Sequence, residues 1–212
     1  LGSPRGAVSE REKRVKAMLA QLKPDWLSVE DYLAFEKDSE IKHEYINGEL
    51  YAMAGASARH NLIAGNLFAR LLAHLRGSSC QVFFADVKLH LKELGVEIFY
   101  YPDLMVCCDP EDREPYYRTR PCLIVEVLSG GTARIDQREK LFAYARLDSL
   151  QGYLLLEQDR IGASLHWREG GDWRWTEFSD SRAELTLPCA GLTVRLAELY
   201  EGTGLPETSP SA

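Results

Sequence analysis

The sequence predicts a mixed α/β fold, with helices flanking a central mixed β-sheet and a β-meander at the C-terminal end. Three observations carry this. Apolar residues recur at helical spacing from Ser57 to Leu75, the pattern of one long amphipathic helix. The segments Val96 to Cys108 and Cys122 to Leu128 are nearly continuous apolar runs, as strands covered on both faces are. Ala163 to Phe178 holds three of the four tryptophans around Gly170-Gly171, which reads as two strands joined by a glycine turn. Helices interspersed with buried strands stack as layers of helix on sheet.

The elements follow in order. Ser9 with Glu12 three residues on has the form of a capping box, so a short charged helix is expected from Glu10 to Lys23. Ser28 followed by Glu30 and Asp31 supplies an N-cap with acids in the first turn and predicts a helix from Ser28 to about Phe35. Asn47-Gly48 between Tyr45-Ile46 and Leu50-Tyr51 is a hairpin signal, because both turn residues tolerate positive φ. The long helix buries the row Leu62, Ile63, Leu67, Leu71, Leu72 and Leu75, and Gly77 stops it. Gln81 to Leu91, Val96 to Cys108 and Cys122 to Leu128 read as three strands, with a polar loop around Glu111 to Pro115. After Gly130-Gly131-Thr132 comes a helix from about Arg134 to Leu147, then a buried strand from Gly152 to Leu156. The meander tryptophans are expected in core packing. Leu185 to Leu187 and Leu192 to Val194 are short strands before a last helical turn. One domain is expected over 25–200, with a charged segment over 1–24 and a disordered tail over 201–212.

The chain of 212 residues suffices for one sizeable core. It holds no apolar run of about 18 residues, so no membrane helix is expected, and its start lacks the apolar block of a secretory signal. A cytoplasmic location is the expectation. The net charge of -7 argues against tight non-specific DNA binding, which depends on Lys and Arg neutralising phosphates, but leaves room for a local basic surface. Five cysteines, Cys80, Cys107, Cys108, Cys122 and Cys189, show no metal-type spacing. They are expected to be reduced, buried thiols. Neither a G-x-S-x-G nucleophile motif nor a phosphate loop occurs.

The chemistry rests on Pro102-Asp103 and on Glu126 inside Leu123-Ile124-Val125-Glu126-Val127-Leu128-Ser129. A carboxylate in an apolar strand costs several kcal/mol unless it is paired or holds a cation. Two carboxylates brought together repel, and a divalent ion relieves the repulsion. The pattern therefore points to a hard-cation site on a sheet and to metal-assisted hydrolysis of a phosphodiester. The plainer readings are a strand-end acid bonded to backbone for Asp103 and a structural ion pair for Glu126.

These residues resemble the PD-(D/E)XK nuclease superfamily and, within it, the Uma2 family of restriction-endonuclease-like proteins. The resemblance rests on His43-Glu44-Tyr45-Ile46-Asn47-Gly48-Glu49-Leu50, His60, Tyr101-Pro102-Asp103, Pro121 to Ser129, and Asp136 to Lys140 with Tyr144. It implies a restriction-endonuclease-like core in which Asp103 and Glu126 bind Mg²⁺, with Mn²⁺ as a substitute. Glu44 is implied as a third acid at the metal, although it also reads as a plain hairpin residue. The superfamily's lysine two residues after the Glu would share its strand face, but Leu128 stands there. Lys140 on the next helix, or Lys88 in Asp86-Val87-Lys88, is the substitute to expect, Lys140 being favoured. His60 reads first as a capping or surface residue and second as part of the same cleft. The implied activity is metal-dependent cleavage of nucleic acid, DNA in the first instance, by a homodimer. A nuclease-like fold that binds nucleic acid or protein without cutting is the alternative, and hydrolysis of a small phosphorylated molecule a weaker third.

Overall fold

A serine hydroxyl starts each of the first two described helices. In α1 (Val29–Asp38) the Ser28 side chain accepts the Asp31 N–H, and Glu30 and Asp31 occupy the first turn, where carboxylates meet the positive end of the helix. In α2 (Ala58–His74) the Ser57 side chain accepts the His60 N–H. The computed structural model describes residues 27–93, 95–129 and 133–207. The helix expected from Glu10 to Lys23 lies outside them, as do residues 208–212 of the expected tail. The described residues divide into two compact units.

The first unit comprises residues 27–53 and Lys92–Ile98. Its hairpin joins β1 (His43–Ile46) to β2 (Glu49–Ala52), with Ile46 opposite Glu49. Asn47 and Gly48 have φ of 47° and 97°, as the tight turn requires. Glu36, at the end of α1, accepts the His43 N–H at 2.8 Å and stands 3.1 Å from His43 Nδ1. Tyr32 and Tyr45 stack at 4.9 Å. The unit also takes the far end of β4 (Lys88–Glu93) and the start of β5 (Val96–Tyr100).

The second unit comprises Ala54–Leu91 and residues 99–207. Its strands are β3 (Gln81–Phe84), β6 (Leu104–Cys107), β7 (Tyr117–Arg118), β8 (Leu123–Leu128), β9 (Gly152–Glu157), β10 (Ala163–Glu169), β11 (Asp172–Phe178), β12 (Glu184–Thr186) and β13 (Thr193–Arg195). Six of them form a mixed sheet in the order β11-β10-β9-β8-β6-β3, with β8 parallel to β9 and antiparallel to β6. The parallel pair is joined through α3 (Ala133–Tyr144), the crossover such a pair requires. A last short helix, α4, covers Leu196–Leu199. One core joins Ile63, Leu67 and Leu71 of α2 to Leu104, Val106, Leu123, Val125, Leu154 and Leu156 of the sheet. The alternating residues Leu123, Val125 and Val127 thus serve the α2 layer, which leaves Ile124, Glu126 and Leu128 for the other face.

Five expectations need correction. Gln81 to Leu91 is two strands, because Ala85 turns the chain at φ 50° and its N–H bonds to the Asp103 carbonyl at 3.0 Å. Val96 to Cys108 is also two strands, broken at Tyr101-Pro102-Asp103, where proline offers no ladder N–H. Trp175 is 62 % exposed rather than in the core; it lies on β11, the strand at the sheet edge. The cysteines are not all reduced thiols: Cys80 is bonded to Cys108 and Cys122 to Cys189. The tail, too, begins in order, Thr203 donating to the Tyr200 carbonyl at 2.7 Å. Among the described residues no helix is long and apolar enough to cross a membrane.

Gly152 starts β9 opposite Leu123. A Cβ there would stand 3.0 Å from Leu123 Cδ1 and 3.0 Å from Pro188 Cγ. Gly152→Ala should therefore destabilise the protein by about 1–3 kcal/mol through overpacking, read as a lowered denaturation midpoint in urea. An unchanged midpoint would show that β9 and the Pro188 turn can separate freely.

Candidate functional site

The site grows from the pairing of β6 with β8. Leu104 faces Val125 and Met105 faces Ile124 in antiparallel register, so one step further sets Asp103 opposite Glu126. The break at Pro102 ends β5 just before Asp103, which frees its carboxylate from the ladder and lets it turn across the strand. Asp103 Oδ2 accepts the Val127 N–H at 2.7 Å, so Asp103 docks on the residue next to Glu126.

His60 completes that side. Its backbone N–H caps onto Ser57, while its ring reaches Asp103, with Nε2 3.1 Å from Oδ2. Both side chains are largely withdrawn from water, at 14 % and 20 % exposed. The hydrogen bond to Asp103 holds the imidazole above its ordinary pKa, burial works against it, and the charges of Asp103 and Glu126 add to the rise. With Oδ2 taking both bonds, Oδ1 of Asp103 has no hydrogen-bond partner among the described residues.

Glu126 is held from the helix side. The Tyr144 hydroxyl donates to its Oε1 at 3.1 Å, and Lys140 Nζ stands 3.9 Å from the same oxygen. Lys140 and Tyr144 are four residues apart on α3 and so share one helix face. Tyr144 is fully buried, set edge-on against Tyr100 and Tyr153. Lys140 Nζ also lies 5.0 Å from the centre of the Tyr100 ring, and at 12 % exposure this contact with the aromatic face adds to its anchoring. Leu128 holds the second position after Glu126 on the strand, yet a lysine reaches the same carboxylate from the crossover helix.

Lys88 is buried with its Nζ 5.2 Å from the Tyr101 ring centre. Glu44 lies on β1 in the first unit, opposite Tyr51. Tyr144 and the Val127 N–H carry no assigned role in the sequence reading, and His60 reads there first as a cap. The i, i+4 spacing of Lys140 and Tyr144 is the signal that could have found the tyrosine. Two carboxylates of low exposure, one with an oxygen open, offer the hard oxygen donors that Mg²⁺ or Mn²⁺ takes.

Comparison with known proteins places the chain in a family. The Uma2 family model, described as "Putative restriction endonuclease", matches residues 29–197. The "Uncharacterized protein slr1290" of Synechocystis sp. is 36% identical over 178 residues, covering 83% of this chain and 92% of that protein. The "Uncharacterized protein sll1609" of the same organism is 34% identical over 164 residues, covering 75% and 91%. A crystal structure of a "putative nuclease belonging to DUF820" from Anabaena variabilis superposes with a TM-score of 0.68 at 14% identity. It covers 82% of this chain and 97% of that one, a likeness of fold.

The His60–Asp103 pair predicts a pH dependence of stability in metal-free protein. A raised imidazole pKa adds stability that is complete below the ordinary value of about 6.5 and is lost as pH rises through the folded value. The melting temperature of the parent minus that of His60→Gln should be largest in mild acid and shrink as the solution becomes alkaline. A difference that stays flat or grows with pH would show that His60 is not charged beside Asp103.

Proposed function

Because the chain belongs to the Uma2 family, described as "Putative restriction endonuclease", we propose that it hydrolyses phosphodiester bonds of nucleic acid with a divalent metal ion. The observation that carries this reading is the strand register that sets Asp103, just before β6, opposite Glu126 of β8, with each carboxylate held by its own donors. Asp103 and Glu126 are the residues that would hold Mg²⁺, with Mn²⁺ as a substitute. Such an ion polarises a phosphoryl oxygen and lowers the pKa of a bound water.

The chain's own groups have separable parts. The Val127 N–H and His60 hold Oδ2 of Asp103 and leave Oδ1 facing outward. Tyr144 fixes the rotamer of Glu126. Lys140, 3.9 Å from that carboxylate, orients an attacking water or meets negative charge as it builds on phosphorus. Preset charges of this kind act without reorganising at the moment of reaction. DNA is the substrate class we favour, and cutting both strands of a duplex suits two copies of the chain related by a two-fold axis. The cytoplasm is the proposed place of action. A second reading, binding without cleavage, draws on Leu128 in the strand position where the superfamily carries lysine and on the net charge of -7.

Nicking of supercoiled plasmid with Mg²⁺ or Mn²⁺ tests the proposal. The parent should cut, and Asp103→Ala and Glu126→Ala should each lose the activity. Tyr144→Phe, which keeps the packing and removes one bond to Glu126, should lose about 10–100-fold in metal affinity or rate. Lys140→Met should lower the rate more than the metal affinity. Metal-dependent cutting that survives both acid substitutions would overturn the assignment. Mn²⁺ and DNA binding without cutting would establish the binding reading.

A further inference from the structure

Four of the five cysteines meet at the end of the sheet away from the two acids. Cys80 precedes β3, Cys108 follows β6 and Cys122 precedes β8, so three adjacent strands each present one at the same edge. Extending the β3–β6 register by one step sets Cys80 against Cys108, and the Cys122 N–H donates to the Val106 carbonyl at 2.8 Å. Cys189 arrives from the turn between β12 and β13, closed by a hydrogen bond from the Gly191 N–H to the Leu187 carbonyl at 3.0 Å. His74 Nε2 steadies that turn, 3.0 Å from the Ala190 carbonyl.

The sulfurs are bonded in pairs, Cys80 to Cys108 and Cys122 to Cys189. Two independent disulfides need only meet pairwise, yet here the pairs touch each other. Cys108 Sγ lies 3.5 Å from Cys122 Sγ, and the sulfurs of Cys108, Cys122 and Cys189 all fall within 4.8 Å of one another. Four thiolates around Zn²⁺, each about 2.3 Å from the metal in a tetrahedron, stand about 3.8 Å apart. The spacing of Cys108 from Cys122 already suits that geometry, Cys189 is within 4.8 Å of both, and Cys80, bonded to Cys108, must swing in as the spacing within each pair opens on reduction.

We propose that Cys80, Cys108, Cys122 and Cys189 form, in the reduced chain, a closed four-thiolate site for a soft divalent ion of the Zn²⁺ class. Thiolates select such ions over Mg²⁺, so this site and the carboxylate site take different metals. Reduction of the two disulfides takes four electrons from a thiol or phosphine reductant, which becomes a disulfide or a phosphine oxide, and four protons, from the thiol or from water. Metal binding then releases the four thiol protons to solvent as the four S–metal bonds form. The ion would tie β3, β6, β8 and the Cys189 turn together, as the disulfides do in the oxidised chain. Cys107, next to Cys108, is separate: neighbouring strand residues point to opposite faces, and burial pushes its thiol up to about 12.

Co²⁺ is the probe. The full chain, reduced with a phosphine and kept under inert gas, should take up one equivalent of Co²⁺. Sulfur-to-cobalt charge-transfer absorption and the visible bands of tetrahedral Co²⁺ should appear, and both should be lost on adding Zn²⁺. The oxidised chain should show neither. Cys189→Ser, an exposed turn position, and Cys80→Ser should each weaken uptake and lower the charge-transfer intensity, whereas Cys107→Ser should leave both unchanged. Absence of the charge-transfer band in reduced protein that circular dichroism shows to be folded would overturn the proposal. A band of full intensity in Cys189→Ser would do the same. Carboxylate oxygens give no sulfur band, so the double change Asp103→Ala with Glu126→Ala should leave this signal intact. The two metal sites therefore stand or fall separately.

Discussion

Everything at the candidate site depends on holding two carboxylates close together without letting either return to water. The antiparallel register of β6 and β8 fixes the backbone positions. Pairing the acids with an imidazole, a tyrosine hydroxyl, an ammonium and a backbone N–H offsets the desolvation that burial imposes. The compensation is divided between layers. Asp103 is served by α2 and the sheet backbone, and Glu126 by α3. Each helix on its own face of β8 thus contributes one arm, and the crossover that joins β8 to β9 brings the lysine for Glu126 as a consequence of chain topology.

That division explains how a lysine can leave its strand position. A lysine two residues after Glu126 would share its strand face, and Leu128 occupies that place instead. Because α3 packs over that same face, a lysine on its inward side reaches the carboxylate from above, and Tyr144 one turn later reaches it too. The constraint concerns where the ammonium ends, not which element it comes from. The sheet end carrying the acids is anchored at its far side by the four cysteines, so the register that sets Asp103 against Glu126 is secured by covalent links across β3 and β6 and from β8 to the Cys189 turn.

Much of this was legible in the sequence, because it is written in local patterns. The serine caps at Ser28 and Ser57, the Asn47-Gly48 turn, the helical row from Ile63 to Leu71 and the apolar run of β8 each act within one element, and the structure keeps them. Asp103 and Glu126 stood out because carboxylates are costly among apolar strand residues. What was not legible depends on contacts distant in the chain. The bend at Ala85 is set by a hydrogen bond to Asp103, well beyond any local window. His60 reads as a cap because its N–H does cap, and only the third dimension shows where its ring goes. The cysteines lack a close spacing, since their meeting is made by strand order. Trp175 is exposed on the edge strand β11, which alternation alone does not reveal.

The central claim is that one divalent ion sits between Asp103 and Glu126. Crystals of the protein soaked in Mn²⁺ and measured for anomalous scattering test it most directly. The account predicts a peak within bonding distance of Asp103 Oδ1 and a Glu126 oxygen, with Lys140 and Tyr144 still at Glu126. A fully soaked crystal with no peak there, or with the two carboxylates turned apart, would contradict it.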